Sequence, residues 1–129
     1  MREVLKGRWS HDGFVVSDWG SIVQLISQGA AEDLKEASEK AIMAGVDMDM
    51  MSRGYDKYLK ELVGEGKVPV EIVDDAVRRI LRLKFRLGLF ENPYIRETTE
   101  KERFLQPEDI KIAEKLAEES FVLLKNKEK

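Results

Sequence analysis

Gly13-Phe14-Val15-Val16-Ser17-Asp18-Trp19-Gly20 decides how the rest of the chain is read: an apolar run of β-type residues ends abruptly in an acid and an indole. Phe14, Val15 and Val16 are residues that fill a strand buried on both faces, as parallel strands are. A carboxylate and an indole at the end of such a strand are poorly placed for packing. They are well placed for a ligand, because parallel α/β folds carry their active sites at the carboxyl ends of strands. The competing reading is a surface turn that happens to contain Asp18 and Trp19.

Downstream, Ser21 to Gly29 reads as a short mixed connector, and from Ala30 the period changes. Ala30, Leu34, Ala37, Ala41 and Ala44 step 4, 3, 4, 3 and so share one helical face. Glu32 and Asp33 near the start and Lys40 near the end suit the helix macrodipole, and Gly45 supplies a left-handed stop. Val46 to Met50 then reads as a second short strand. Strand, helix and strand in this order predict a right-handed βαβ unit with parallel strands. Asp47 and Asp49 alternate with Val46, Met48 and Met50, which places both carboxylates on one side of that strand. Paired acids invite a metal or acid-base reading, but no third ligand stands nearby. The preferred reading is a polar strand end hydrogen-bonded to loop backbone.

Tyr55, Tyr58, Leu59, Leu62 and Val63 form a further amphipathic face, closed by Gly64 and Gly66. Pro69 opens a longer helix in which Val73, Ala76, Ile80, Leu83 and Leu87 step 3, 4, 3, 4 up to Gly88. Its other face carries Arg78, Arg82 and Arg86 one turn apart. These are read as a solvated face rather than a nucleic-acid stripe: Asp74 with Arg78 and Asp75 with Arg79 are i, i+4 pairs in the favourable order, and no aromatic residue interleaves the arginines. Asn92-Pro93 breaks the helical run, and Tyr94 to Gln106 is polar and aperiodic, as a linker is. From Pro107 the pattern Ile110, Ala113, Leu116, Ala117 gives a last helix. It leads into Phe121 to Leu124, which reads as an apolar strand with nothing after it to pair with, an edge liability. Upstream, Trp9 lies before the first strand and is read as packing, and His11, between Ser10 and Asp12, as a solvated loop residue.

Composition narrows the function classes. The chain has 129 residues, 43% hydrophobic and 36% charged, which suits one modest soluble core. A net charge of −3 carries no basic excess that would point to nucleic acid. Cysteine is absent, which rules out a disulfide framework and a thiolate metal site. No signal core opens the chain and no apolar run approaches the roughly 20 residues that span a bilayer. As written, a cytoplasmic protein without membrane partners is expected.

Four ordered blocks carry a resemblance. Leu5, Trp9 and Asp12 to Gly20 resemble the nucleophile strand of glycoside hydrolase family 3, the family of many β-glucosidases and β-xylosidases. Ala44 to Met48 with Met50 follows. Then come Ala76 to Leu81 with Lys84 and Gly88-Leu89-Phe90, and finally Val122 to Asn126.

The resemblance implies that residues 1–92 are the C-terminal part of a (β/α)8 barrel, comprising its last two βα units. Residues 93–106 would be a linker, and 107–129 a helix and first strand leading into a following domain. It implies Asp18 as the nucleophile of a retaining β-glycosidase, Trp19 as a sugar-stacking wall, and Ser17 and Asp47 in supporting roles, with no cofactor or metal. Ser-Asp-Trp favours the β-glucosidase or β-xylosidase branch over the N-acetylhexosaminidase branch, so the expected substrate is a β-glucoside or related saccharide. The acid/base would lie in the missing remainder of the barrel and following domain. Without that acid the isolated chain is expected to be inactive. Two strands cannot close a barrel interior, so the chain is also expected either to associate with copies of itself or to adopt a helix-dominated rearrangement. A non-catalytic, mostly helical self-associating module of the same family is the alternative.

Overall fold

In the computed structural model, residues 1–94 and 102–125 are described. The chain divides into two compact units, Met1–Asn92 and Pro93–Lys129. The first unit opens with a π-helical segment, Arg2–Arg8, and holds four α-helices, α1 Ser21–Ser27, α2 Leu34–Ala44, α3 Gly54–Gly64 and α4 Val70–Arg86, with one extended stretch before α1 and a second between α2 and α3.

The centre of this unit is α2. Asp33 caps it, its Oδ1 accepting the Glu36 N–H at 2.8 Å, and Gly45 ends it at φ 100°. The expected alanine face is only half correct. Ala37 and Ala41 are buried with Ile22 and Ala31, whereas Ala30 precedes the helix and is exposed, as is Ala44. Ser38 and Ile42 are buried in their place. The reason is that α2 is flanked on two sides, by α1 and by α3, so its apolar surface is wider than one seam. Ser21 to Gly29, read as a connector, is largely the helix α1. A seven-residue helix is too short to show a period, and it is held by packing Ile22 and Leu25 against α2.

The remaining helices follow their periodicity more closely. Leu62 of α3 is sealed with Ile42, Val68 and Ala76, and Tyr58, Leu59 and Val63 pack around them. Gly54 starts α3 against Ser38 so closely that an added Cβ would overlap the Ser38 hydroxyl. In α4 the predicted face is covered through Val73, Ala76 and Ile80, while Leu83 and Leu87 at its distal end are exposed.

The strands are where the fold departs from expectation. No strand forms among the described residues, and the fold is helix-rich. The two apolar stretches instead meet at a single parallel bridge, Val16 with Met48. Their alignment is parallel, with Asp47 N–H and Met48 N–H donating to Val15 O (2.8 and 3.0 Å) and Ser17 N–H donating to Met48 O (2.9 Å). Val16 is 41% exposed and Met48 43%, far from burial on both faces. A β-strand, unlike a helix, finds its backbone partners on neighbours. Here residues 15 and 17 turn to the partner stretch, and the backbone groups of Val16 turn away from it.

In the second unit α5 spans Pro107–Ser120, with proline in its first turn and Glu108 and Asp109 beside it. Its apolar residues Ile110 and Leu116 are exposed. Phe121 is extended, Phe121 to Leu124 forms no strand, and all four side chains are exposed. The central part of the expected linker, 95–101, and Asn126 lie outside the described residues.

Candidate active site

Asp18 stands at the end of an extended stretch held from below by a buried acid. Asp47, 4% exposed, accepts the Val15 N–H on Oδ2 at 2.9 Å and pairs through Oδ1 with Lys6 Nζ at 2.5 Å. Both side chains of this ion pair are almost sealed from solvent, so each charge depends on the other for its compensation. Asp47 thereby joins the N-terminal π-helical segment, the Val15 backbone and its own stretch at one point.

Ser17, also buried, is the next tie. Its Oγ donates to Asp18 O and accepts the Met50 N–H, both at 2.9 Å. The Asp18 carboxylate itself is exposed. Its side-chain hydrogen bond among the described residues comes from the Trp19 N–H to Oδ1, at 2.7 Å. Trp19 is 66% exposed. Asp18 and Ser17 line one end of an open groove of about 520 Å³ whose walls include Val15, Val16, Ile22, Leu25 and Ala41.

The two acids of the second stretch are placed apart from this groove. Asp47 and Asp49 line a separate depression with Tyr55 and Arg53. Asp49 accepts the N–H groups of Ser52 (3.0 Å) and Gly54 (2.8 Å), binding the loop that leads into α3. Tyr55 donates its hydroxyl to Val46 O at 2.8 Å; its burial, and then the nearby Asp49 and Asp47 charges, push the phenol well above its usual range. The structure thus brings Ser17, Asp18 and Trp19 together in sequence and space. Asp47 joins the same stretch further back, at Val15, and is committed to Lys6 and to backbone.

Two further attachments were not foreseen. Lys6 belongs to a segment without apolar period and reaches a partner 41 residues away. The second is the basic face of α4. Both i, i+4 pairs form, Arg78 with Asp74 at 3.4 Å and Arg79 with Asp75 at 2.9 Å. The arginines also reach the loop before Val15. Arg79 Nη1 donates to His11 O and Gly13 O, each at 3.0 Å, Arg82 to Asp12 O at 3.3 Å, and Arg86 pairs with the Asp12 carboxylate at 2.7 Å. The face read as solvated is in this part a clamp. The sequence signal was present but ambiguous: a guanidinium has five donors, and an i, i+4 partner uses only some of them. Arg86 lowers the Asp12 pKa by its hydrogen bond and charge. Burial pushes Asp75 upward, but the bond to Arg79 and the surrounding positive charge bring the net shift below its ordinary value.

Chemically, an exposed carboxylate on a braced backbone, beside an indole, can serve as a nucleophile toward a ligand that also stacks on the ring.

Residues 1–83 match the profile described as the glycosyl hydrolase family 3 N terminal domain. A periplasmic beta-glucosidase from Salmonella typhimurium is 39% identical over 98% of this chain and 17% of its own length. A lysosomal beta glucosidase from Dictyostelium discoideum is 40% identical, again over 98% of this chain and 16% of its own. Among solved structures, a beta-glucosidase from Listeria innocua in complex with isofagomine superposes with a TM-score of 0.83 at 41% identity, covering 98% of this chain and 18% of that one. The chain spans less than a fifth of the length of these relatives. On profile, identity and superposition together, the chain belongs to glycoside hydrolase family 3.

Proposed function

We propose that the chain carries the nucleophile of a retaining β-glycosidase acting on terminal β-linked glucose or a related sugar, with Asp18 in that role. The observation that carries this reading is an exposed Asp18 carboxylate on a stretch braced by Asp47 and Ser17. In such a reaction the Asp18 oxygen attacks the anomeric carbon while the bond to the leaving oxygen breaks and an acid protonates that oxygen. Water, deprotonated by the same acid/base group, then displaces Asp18 and returns a sugar of retained configuration. Trp19 offers its face to the pyranose C–H groups. Ser17 orients the end of the stretch, and Asp47 supports it from below.

The acid/base group is assigned to polypeptide beyond these 129 residues. Residues 1–92 are then the last two βα units of a (β/α)8 barrel, 93–106 a linker, and 107–129 the entry to a following domain. The parallel bridge supports this reading, as does the partial coverage of every relative named. Taken alone, the chain lacks the second carboxyl group, and an unassisted leaving group typically loses about 10² to 10⁴ in rate. Negligible hydrolysis of an aryl β-glucoside by the purified chain is the expected result. Residual turnover should vanish in Asp18→Asn; turnover that survives this substitution removes Asp18 from the nucleophile's role.

A second reading is favoured by exposed apolar residues such as Phe85, Leu87 and Phe90 at and just beyond the C-terminal end of α4: a non-catalytic, self-associating helical module. Size-exclusion chromatography with light scattering tests it, and a well-folded monomer at high concentration excludes it.

A further inference from the structure

We propose that Arg79 is a positioning residue for Asp18, acting through the backbone of the loop that precedes the Asp18 stretch; this rests on the reading of Asp18 as nucleophile. The Asp18 side chain takes only a local hydrogen bond from its neighbour's N–H, and no other side chain orients it among the described residues. Its position is therefore set by backbone. Downstream of Gly13, that backbone is tied at Val15 and Ser17 to Asp47, Met48 and Met50. Upstream of Val15, the His11 N–H donates to Leu5 O at 3.0 Å, and the side-chain ties come from α4.

Arg79 is suited to this by geometry. Its Nη1 holds two carbonyls, those of His11 and Gly13, so a single nitrogen closes the turn around Asp12. Its Nε is engaged by Asp75, which fixes the plane of the guanidinium. The side chain is 15% exposed, in contrast to 67% for Arg78, whose partner among the described residues is Asp74. A planar fork can serve a carboxylate and two carbonyls at once, which an ammonium cannot do in the same geometry. Packing leaves the loop little freedom to adjust: the His11 ring lies over Gly13, where an added Cβ would come within 2.9 Å of it. Arg82 and Arg86 hold Asp12 from the next turns and reinforce the same turn. Misplacing a reacting group by about 1 Å can cost on the order of 10²-fold in rate, so a tie this close to Asp18 bears on catalysis without touching substrate.

The test is residue-resolved amide hydrogen exchange on the full 129-residue chain, with Trp19 emission read in a Trp9→Phe background. Arg79→Ala should speed exchange at Ser17, Asp47 and Met48 by about tenfold, change Ala41 and Leu62 less than about twofold, and shift the Trp19 emission. Arg79→Lys should fall between wild type and Ala at the same amides. It also carries the test if the alanine variant does not fold. Unchanged exchange at Ser17 and Met48, equal acceleration of all amides, or Arg79→Lys indistinguishable from wild type would each overturn the proposal. Asp18→Asn should leave exchange at Ser17 unchanged, so the exchange readout of the Arg79 tie stands or falls separately from the reading of Asp18 as nucleophile.

Discussion

The α2–α3 contact and the pairing of residues 15–17 with 47–48 lie side by side in one unit, yet they are built on opposite terms. In the first, each helix satisfies its own backbone, and the interface needs only close approach: Gly54 against Ser38, and Leu62 against Ile42. In the second, each stretch depends on another for its hydrogen bonds, and the pair is held by one bridge, a buried ion pair and a serine hydroxyl. The helical contact is complete within itself. The pairing of the extended stretches is a single bridge, and its residues Val16 and Met48 remain half exposed. Helices can thus keep their form when neighbours are few, whereas a parallel strand is a property of the sheet around it.

The largest break in this contrast should come from Asp47→Ala. It strands Lys6 as a buried charge and frees the Val15 N–H, with an expected loss of about 3–5 kcal/mol in urea unfolding. Replacing both partners by apolar residues, Lys6→Met with Asp47→Leu, should recover much of that loss, because the penalty is mainly that of an uncompensated charge. On the helical side, Gly54→Ala should cost about 1–3 kcal/mol by forcing α2 and α3 apart, read as a lower unfolding midpoint without loss of the Trp19 emission signature. Asp33→Ala removes the cap of α2 and should cost about 1 kcal/mol, with helix content by circular dichroism falling slightly.

The smallest effect sharpens the comparison through pH. Asp12 is held below its ordinary value of 3.8 by Arg86, and Asp75 is likewise lowered, so the folded state favours both carboxylates ionised. Their contribution is present above the unfolded value and is lost as pH falls from about 4 through the lower folded values. Exchange at Ser17 should therefore quicken below pH 4 before that at Leu62 does, and the difference should shrink in high salt because the Asp12 pair is exposed.

The helical parts of the first unit were legible because periodicity reports a buried face: Leu62, Val73 and Ala76 lie where their spacing put them. At the candidate site the sequence pointed to Ser17, Asp18 and Trp19, where an apolar run ends, and the structure leaves Asp18 and Trp19 exposed there. α1 was not legible, since seven residues carry too little pattern and its burial comes from α2. The strands were overread, because β-branched residues signal a preference for a pleated, covered surface but do not supply the neighbours that make one. Lys6 and Arg79 escaped for a different reason. Their partners are 41 and 66 or more residues away, and no local spacing announces a contact across such a distance.

The Lys6–Asp47 pair has a consequence for how this polypeptide can be rearranged. Both members, together with the Val15 N–H that Asp47 accepts, lie between residues 6 and 47. The alignment of the two extended stretches is therefore inherited as a block. A circular permutation or a split-protein design that keeps this block whole should carry the register into its new context, whereas a cut between Val15 and Asp47 leaves two halves that must find it again by association.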